Sequence, residues 1–171
     1  DEESQDRLEG HKMRMQRAGR ELADLALPSY CLQGTYVTPA AYEIDSLDML
    51  TGEVFGPILH VVRYEGGHLD KVIAAINASG YGLTLGLHSR IEGVADYVAE
   101  HAHVGNLYVN RNQIGAMVGV QPFGGEGLSG TGPKAGGPHT LLAYATERVR
   151  TTDVTATGGN LQLLTATVTD S

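Results

Sequence analysis

The spacing of apolar positions along the chain changes several times, and each change marks an element. Residues 3–26 set Leu8, Met15, Leu22 and Leu25 among charged neighbours at helical spacing, which predicts one amphipathic helix stopped by Pro28. Residues 34–44 (GTYVTPAAYEI) are rich in β-branched and aromatic side chains and predict an extended segment, with Pro39 pointing to an edge or a bend. After the segment 48–57, residues 58–64 form a short apolar run typical of a buried strand. Over 69–78 the period turns helical through Val72, Ile73 and Ile76, and Ser79-Gly80 closes the helix. A second apolar strand is predicted at 83–87, and a second helix at 91–101 with Val94, Tyr97 and Val98 on one side. A third strand follows at 105–110 (GNLYVN). This order predicts a βαβαβ unit of parallel strands with right-handed crossovers, and hence an α/β fold. Residues 141–166 alternate Thr and Val with small residues, predicting a β-rich, exposed tail suited to pairing with a neighbour.

One βαβαβ unit with a helical prefix and an extended tail is half a domain. We expect 1–140 to be part of a larger α/β domain whose missing strands lie in an absent N-terminal part. The remainder, 141–171, is expected to be an extended segment for oligomerisation or interdomain contact. The chain opens without Met, directly in a helical pattern, which suggests a piece of something longer.

Composition narrows the classes of function. The chain has 171 residues, 42% hydrophobic and 19% charged, enough for one domain with a sizeable core and without an apolar run of membrane length. A net charge of −8 leaves no basic stripe for a nucleic-acid partner. The N-terminus lacks the basic and apolar regions of a signal peptide. The single cysteine, Cys31, excludes an internal disulfide and fits a reducing, cytoplasmic setting. No base neighbours Cys31 in sequence, so burial as a small apolar residue is expected. His101 and His103 lack a third ligand nearby and read as a solvated helix end.

Residues 115–137 carry most of the candidate chemistry. Nine of these twenty-three residues are glycine, so the backbone can adopt positive φ and come close to another group. Such a run is expected to present main-chain N–H groups, which form anion-binding concavities, together with the ring of Phe123. It contains a literal Gly-x-Gly-x-x-Gly at Gly125, Gly127 and Gly130, but Pro133 and Gly136-Gly137 follow where a dinucleotide fingerprint needs a helix. Gly132-Pro133-Lys134 is not a phosphate loop either. A second candidate is Glu53-Val54-Phe55-Gly56-Pro57, a carboxylate, a ring and a Gly-Pro turn just ahead of a buried strand. Ligands collect at strand ends in open α/β sheets, where a carboxylate can accept from ribose hydroxyls and a ring can pack on a flat heterocycle.

Together these segments resemble the C-terminal part of the aldehyde dehydrogenase superfamily: the Glu-Val-Phe-Gly-Pro box, the strand ILHVVRY, and the Gly-Asn-Leu-Tyr-Val-Asn run leading to Pro-Phe-Gly-Gly. Three stretches, INASGYGLTLGLHSR, NLYVNRNQIGAMVGVQPFGGEGLSGTGPKAGGP and ATERVRTTDVTATGGN, are similar to the L-glutamate γ-semialdehyde (1-pyrroline-5-carboxylate) dehydrogenases, above all those fused in bifunctional proline-utilisation proteins. The resemblance implies a partial aldehyde-dehydrogenase catalytic domain that uses NAD and acts on glutamate semialdehyde in proline catabolism. It implies that Glu53 binds the nicotinamide ribose and that Phe55 packs beside the nicotinamide. Gly115 and Ala116 would hold the substrate α-carboxylate through main-chain N–H groups, and Phe123 would line its aliphatic part. The partners implied are an N-terminal remainder with a Rossmann region, a homo-oligomer and, in the fused branch, an FAD-dependent proline dehydrogenase domain. The family's nucleophilic cysteine, in a Gly-Gln-x-Cys context, has no match here, and Cys31 does not occupy that position. No catalytic residue is therefore expected within the chain, which alone should be silent. The alternative is a non-catalytic remnant or oligomerisation module of the same fold.

Overall fold

The computed structural model describes residues 1–31, 33–153 and 155. Helix α1 (Glu2–Ala18) starts where the Asp1 carboxylate accepts from the Ser4 N–H at 2.8 Å. Glu2 and Glu3 in its first turn and Arg17 in its last complement the helix dipole. The helix ends earlier than the apolar spacing predicts. Gly19 leaves it in an extended conformation (φ −121°, ψ −171°), and a Cβ there would stand 2.8 Å from the Glu43 carbonyl oxygen. Beyond that break, Arg20–Asp24 form strand β1, so Leu22 belongs to a strand and only Leu8 and Met15 of the predicted stripe lie on the helix. The buried helical face is Leu8, His11, Lys12 and Met15, which includes two polar residues.

Strand β2 (Ala40–Glu43) pairs antiparallel with β1 and parallel with β3 (Ile58–Val61). It is the inner strand of three, so of the edge or bend read from Pro39 the edge does not hold. Pro39 sits one residue ahead of the strand, so its missing N–H interrupts no ladder, while its carbonyl accepts from Leu25 N–H at 3.2 Å. Alternation along β2 turns Ala40 and Tyr42 toward the core with Met15 and Ile44, backed by Ile58 and Val62. On the opposite face the Glu43 carboxylate receives Arg20 and, at 2.9 Å, Arg63. These pairs hold its carboxyl below the usual range.

Two polar links fasten α1 to the sheet. Lys12 Nζ donates to Asp24 Oδ1 at 2.7 Å and to Thr38 Oγ1 at 3.0 Å. The second link is a pair of imidazoles, His11 and His60, with Nε2 atoms 2.8 Å apart. Arg14 can only donate, so His11 Nδ1 at 3.2 Å from it is an acceptor. His11 then carries its proton on Nε2 and donates to His60 Nε2. A second proton between the rings would set two N–H groups against each other. Burial lowers both pKa values, and for His11 the facing His60 and Arg14 lower it further. The unfolded chain therefore binds more protons below the ordinary value of 6.5. The pair's stabilisation is expected to be complete above that value and lost as pH falls through the window beneath it. Urea midpoints measured between about pH 8 and pH 5 check this. His60→Phe should flatten the dependence, and an equal slope in that variant would remove the pair as its source.

The second half begins with α2 (Leu69–Ala78), whose bounds match the periodicity. Then come β4 (Tyr81–Gly82), β5 (Thr84–Leu87), α3 (Glu92–His101), β6 (Asn106–Val109) and β7 (Glu126–Gly127). Strands β5 and β6 run parallel, joined through α3 as predicted, with Thr84 opposite Asn106. The mixed α/β class and the parallel pairing hold, but the three strands of the predicted unit divide between two sheets. Among the described residues β3 is laddered to β2, in parallel with 40–43, and not to β5. In the tail, Leu141–Tyr144 form a 3-10 turn instead of a strand, held by local bonds such as Ala143 N–H to Thr140 O at 3.2 Å. Residues 145–153 have no regular structure, and the end of the predicted β-rich stretch, 154 and 156–166, lies outside the described residues.

Candidate active site

The glycine run divides into two parts with different uses. From 124 to 130 glycine permits backbone to pack on backbone. A Cβ at Gly130 would stand 1.9 Å from Gly125 O, and one at Gly105 2.0 Å from Gly124 O. Gly127, at φ 57°, pairs with Tyr81 where a Cβ would meet Gly80 O at 2.4 Å. This part is a compact knot laid over β4 and the start of β6, which corrects the expectation that the whole run presents N–H groups outward. The part from 115 to 121 is open. Gly115 (φ 102°) and Gly119 (φ 74°) have nothing within 4 Å of an added Cβ.

That open loop is nonetheless ordered by its own bonds. Met117 and Gln121 exchange N–H···O bonds of 2.8 and 2.7 Å, and Gly119 N–H donates to Gly136 O at 2.9 Å. The N–H groups of Gly115 and Ala116 donate to no described residue. Around them stand the exposed side chains of Ile114 and Val118. Phe123 is fixed through its backbone to Ala135 by bonds of 3.0 and 2.7 Å, and the residue is 55% exposed. Two unpaired amides beside an apolar rim suit a carboxylate on a short aliphatic chain.

Behind the loop lies a polar chain that reading along the sequence missed. Tyr108, 6% exposed, donates from its hydroxyl to Gly115 O at 3.3 Å. Asn106 Nδ2 donates to that hydroxyl at 2.8 Å and to Pro122 O at 3.3 Å. Lys134 Nζ donates to Asn106 Oδ1 and to Gly105 O. The signal was present: Asn106 and Tyr108 are two apart on a strand, hence on one face. Lys134 is also the sole Lys or Arg between Arg111 and Arg148.

The Glu-Val-Phe-Gly-Pro box occupies the turn entering β3. Gly56 seats it on α1, since a Cβ there would lie 2.4 Å from Leu8 Cδ2. Glu53 lines a cleft with Val54, Tyr81, Leu83 and Ser129, and it forms no ion pair among the described residues. Phe55 is 81% exposed. No described hydrogen bond joins Glu53 or Phe55 to Gly115, Ala116 or Phe123. The structure thus keeps Gly115 and Ala116 on the open loop and Phe123 just beyond it against Ala135, and leaves Glu53 on a separate cleft that Ser129 of the glycine knot also lines. Cys31 is half-buried in a short 3-10 turn, Ser29–Cys31. His101 stacks on Tyr97 at 4.1 Å, with its Nδ1 2.8 Å from Tyr97 O.

The chain belongs to the aldehyde dehydrogenase family, whose sequence profile matches residues 2–149. It is 52% identical over 153 residues to the bifunctional protein PutA of Klebsiella aerogenes, covering 86% of this chain and 12% of that protein. A crystal structure of a variant of Bradyrhizobium japonicum Proline Utilization A (PutA) superposes with a TM-score of 0.82 at 53% identity, over 86% of this chain and 15% of that one. The 1-pyrroline-5-carboxylate dehydrogenase from Thermus with bound NAD superposes with a TM-score of 0.70 at 32% identity, over 80% and 26%. The chain therefore spans a small part of the length of the proteins it matches. No described helix is long and apolar enough to cross a membrane.

Proposed function

We propose that this chain is the C-terminal part of an NAD-dependent L-glutamate γ-semialdehyde dehydrogenase of proline catabolism, cytoplasmic and oligomeric. In this reading it supplies the substrate anchor and the cofactor-ribose contact, while the nucleophilic cysteine and the Rossmann region come from the rest of the polypeptide. A fused FAD-dependent proline dehydrogenase domain belongs to the same reading. The observation that carries it is the pair of exposed amides at Gly115 and Ala116, which donate to no described residue, with the exposed Phe123 further along the same run, in a chain of this family. A main-chain nest selects an anionic aldehyde without adding a cation to a protein of charge −8.

The residues present also fit the cofactor. Glu53 offers a carboxylate free of ion pairs among the described residues, in a cleft beside a strand end, and Phe55 offers an open ring face. NAD, when bound, supplies the hydride acceptor. Glu53 would hold the ribose hydroxyls and so set the nicotinamide's position, Gly115 and Ala116 would fix the carboxylate, and Phe123 would shield the aliphatic chain.

The test uses the full-length enzyme containing this chain, following NADH formation from glutamate semialdehyde and from an uncharged aldehyde of similar length. The unmodified enzyme should prefer the carboxylated substrate. Glu53→Ala should lower kcat on the order of tenfold, since misplacement by about 1 Å can cost up to roughly a hundredfold. The KM for the aldehyde should change little. An unaltered rate and unaltered NAD dependence would take Glu53 out of the site.

A further inference from the structure

The two amides of the anchor loop need to be aimed as well as unpaired, and the carbonyl of Gly115 determines the aim of one of them. In a trans peptide the C=O of one residue and the N–H of the next share a plane and point in opposite directions. Whatever holds Gly115 C=O therefore orients Ala116 N–H. Gly115 has φ 102° and no neighbour against an added Cβ, so local packing does not fix that plane. The hydrogen bond from Tyr108 Oη–H to Gly115 O at 3.3 Å does.

The direction of that bond is itself imposed from behind. Lys134 Nζ has only donors, so the Asn106 atom facing it is Oδ1. Asn106 Nδ2 consequently faces the Tyr108 hydroxyl at 2.8 Å, and the Pro122 carbonyl at 3.3 Å accepts from the same nitrogen. The hydroxyl, occupied as an acceptor, has one proton left, and Gly115 O stands where that proton goes. With the ammonium removed, only the longer bond to Pro122 O keeps Asn106 turned this way, so the Tyr108 proton is directed less firmly to Gly115 O. Tyr108 is buried and Arg111 lies over its ring at 4.6 Å, so the ring is restrained while its proton is directed.

We propose that Tyr108, oriented through Asn106 and Lys134, is the positioning residue for the substrate-carboxylate donor Ala116 N–H. This assignment rests on the substrate reading above, and it adds specificity determinants that do not touch the substrate. A neutral hydrogen bond has a small net worth, so the effect is selective and moderate.

The experiment compares kcat/KM for glutamate semialdehyde with that for an uncharged aldehyde of similar length, in the full-length enzyme and with NAD binding as the check on folding. Tyr108→Phe keeps the ring and deletes the proton. It is expected to lower the preference for the carboxylated aldehyde about two- to tenfold, mainly through KM. Lys134→Met is expected to lower the same ratio, and the double variant should lose no more than Tyr108→Phe alone, because both act along one path. An equal fall for both aldehydes, or additive losses in the double variant, would make these residues structural and overturn the proposal. An unmodified enzyme without any preference would remove the substrate reading itself. A preference that survives Tyr108→Phe unchanged would remove the positioning role alone.

Discussion

Gly105→Ala is expected to be among the most damaging single-methyl additions in this chain, with a loss of at least about 3 kcal/mol of stability. The added Cβ would stand 2.0 Å from Gly124 O and 2.7 Å from Gly125 Cα, both backbone atoms that no rotamer change can move. Relief requires lifting the glycine knot off the start of β6. That lift would strain the Gly105 N–H bond to Gly82 O at 2.9 Å and the Lys134 bond to Gly105 O. Overpacking a close contact ordinarily costs about 1–3 kcal/mol, and a clash between two main chains belongs at or above the top of that range. Gly132→Ala, in the glycine run itself, is the control, because nothing lies within 4 Å of its Cβ and it is not held at positive φ. It should change stability by less than about 0.5 kcal/mol. Urea midpoints of the two variants check this, and matching midpoints would mean that the knot is not close-packed.

That contrast between two glycines marks the limit of what the residues alone disclose. Composition predicts a permissive backbone over 115–137 but cannot separate glycines that admit another main chain from those that open a loop. Where apolar periodicity alone decides, as over Leu69–Ala78, reading and structure coincide. It fails at Gly19, where the stripe Leu8, Met15, Leu22, Leu25 continues in phase although the backbone leaves the helix to pair with β2. The failure is physical: strand pairing is long-range and outweighs a local period. The same holds for β2, whose parallel partner lies across the segment 44–57. At the site, the resemblance led to Gly115, Ala116 and Phe123, and the structure adds the unpaired amides. It could not lead to Tyr108, because a hydroxyl's partner is set by tertiary placement, and alternation supplies only the face.

Ala116→Pro should remove the substrate anchor most completely. Proline has no N–H, so one of the two donors proposed for the carboxylate is deleted outright. Its ring also restricts the residue before it, which here is Gly115 at φ 102°, the residue whose plane aims the remaining geometry. The Gly115 carbonyl that accepts from Tyr108 belongs to the same peptide, so the change reaches the aim of the loop as well as its donor. The knot at 124–130 has its own backbone contacts. A hydrogen bond to a charged group is worth about 1.5–3 kcal/mol, which corresponds to a roughly ten- to hundredfold loss of kcat/KM toward glutamate semialdehyde. An uncharged aldehyde of similar length never engages these donors and should lose far less, so the ratio of the two carries the result. Measured in the full-length enzyme with NAD affinity intact, that ratio separates anchoring from general damage. If Ala116→Pro depressed both substrates alike, the loop would serve the fold and not the carboxylate.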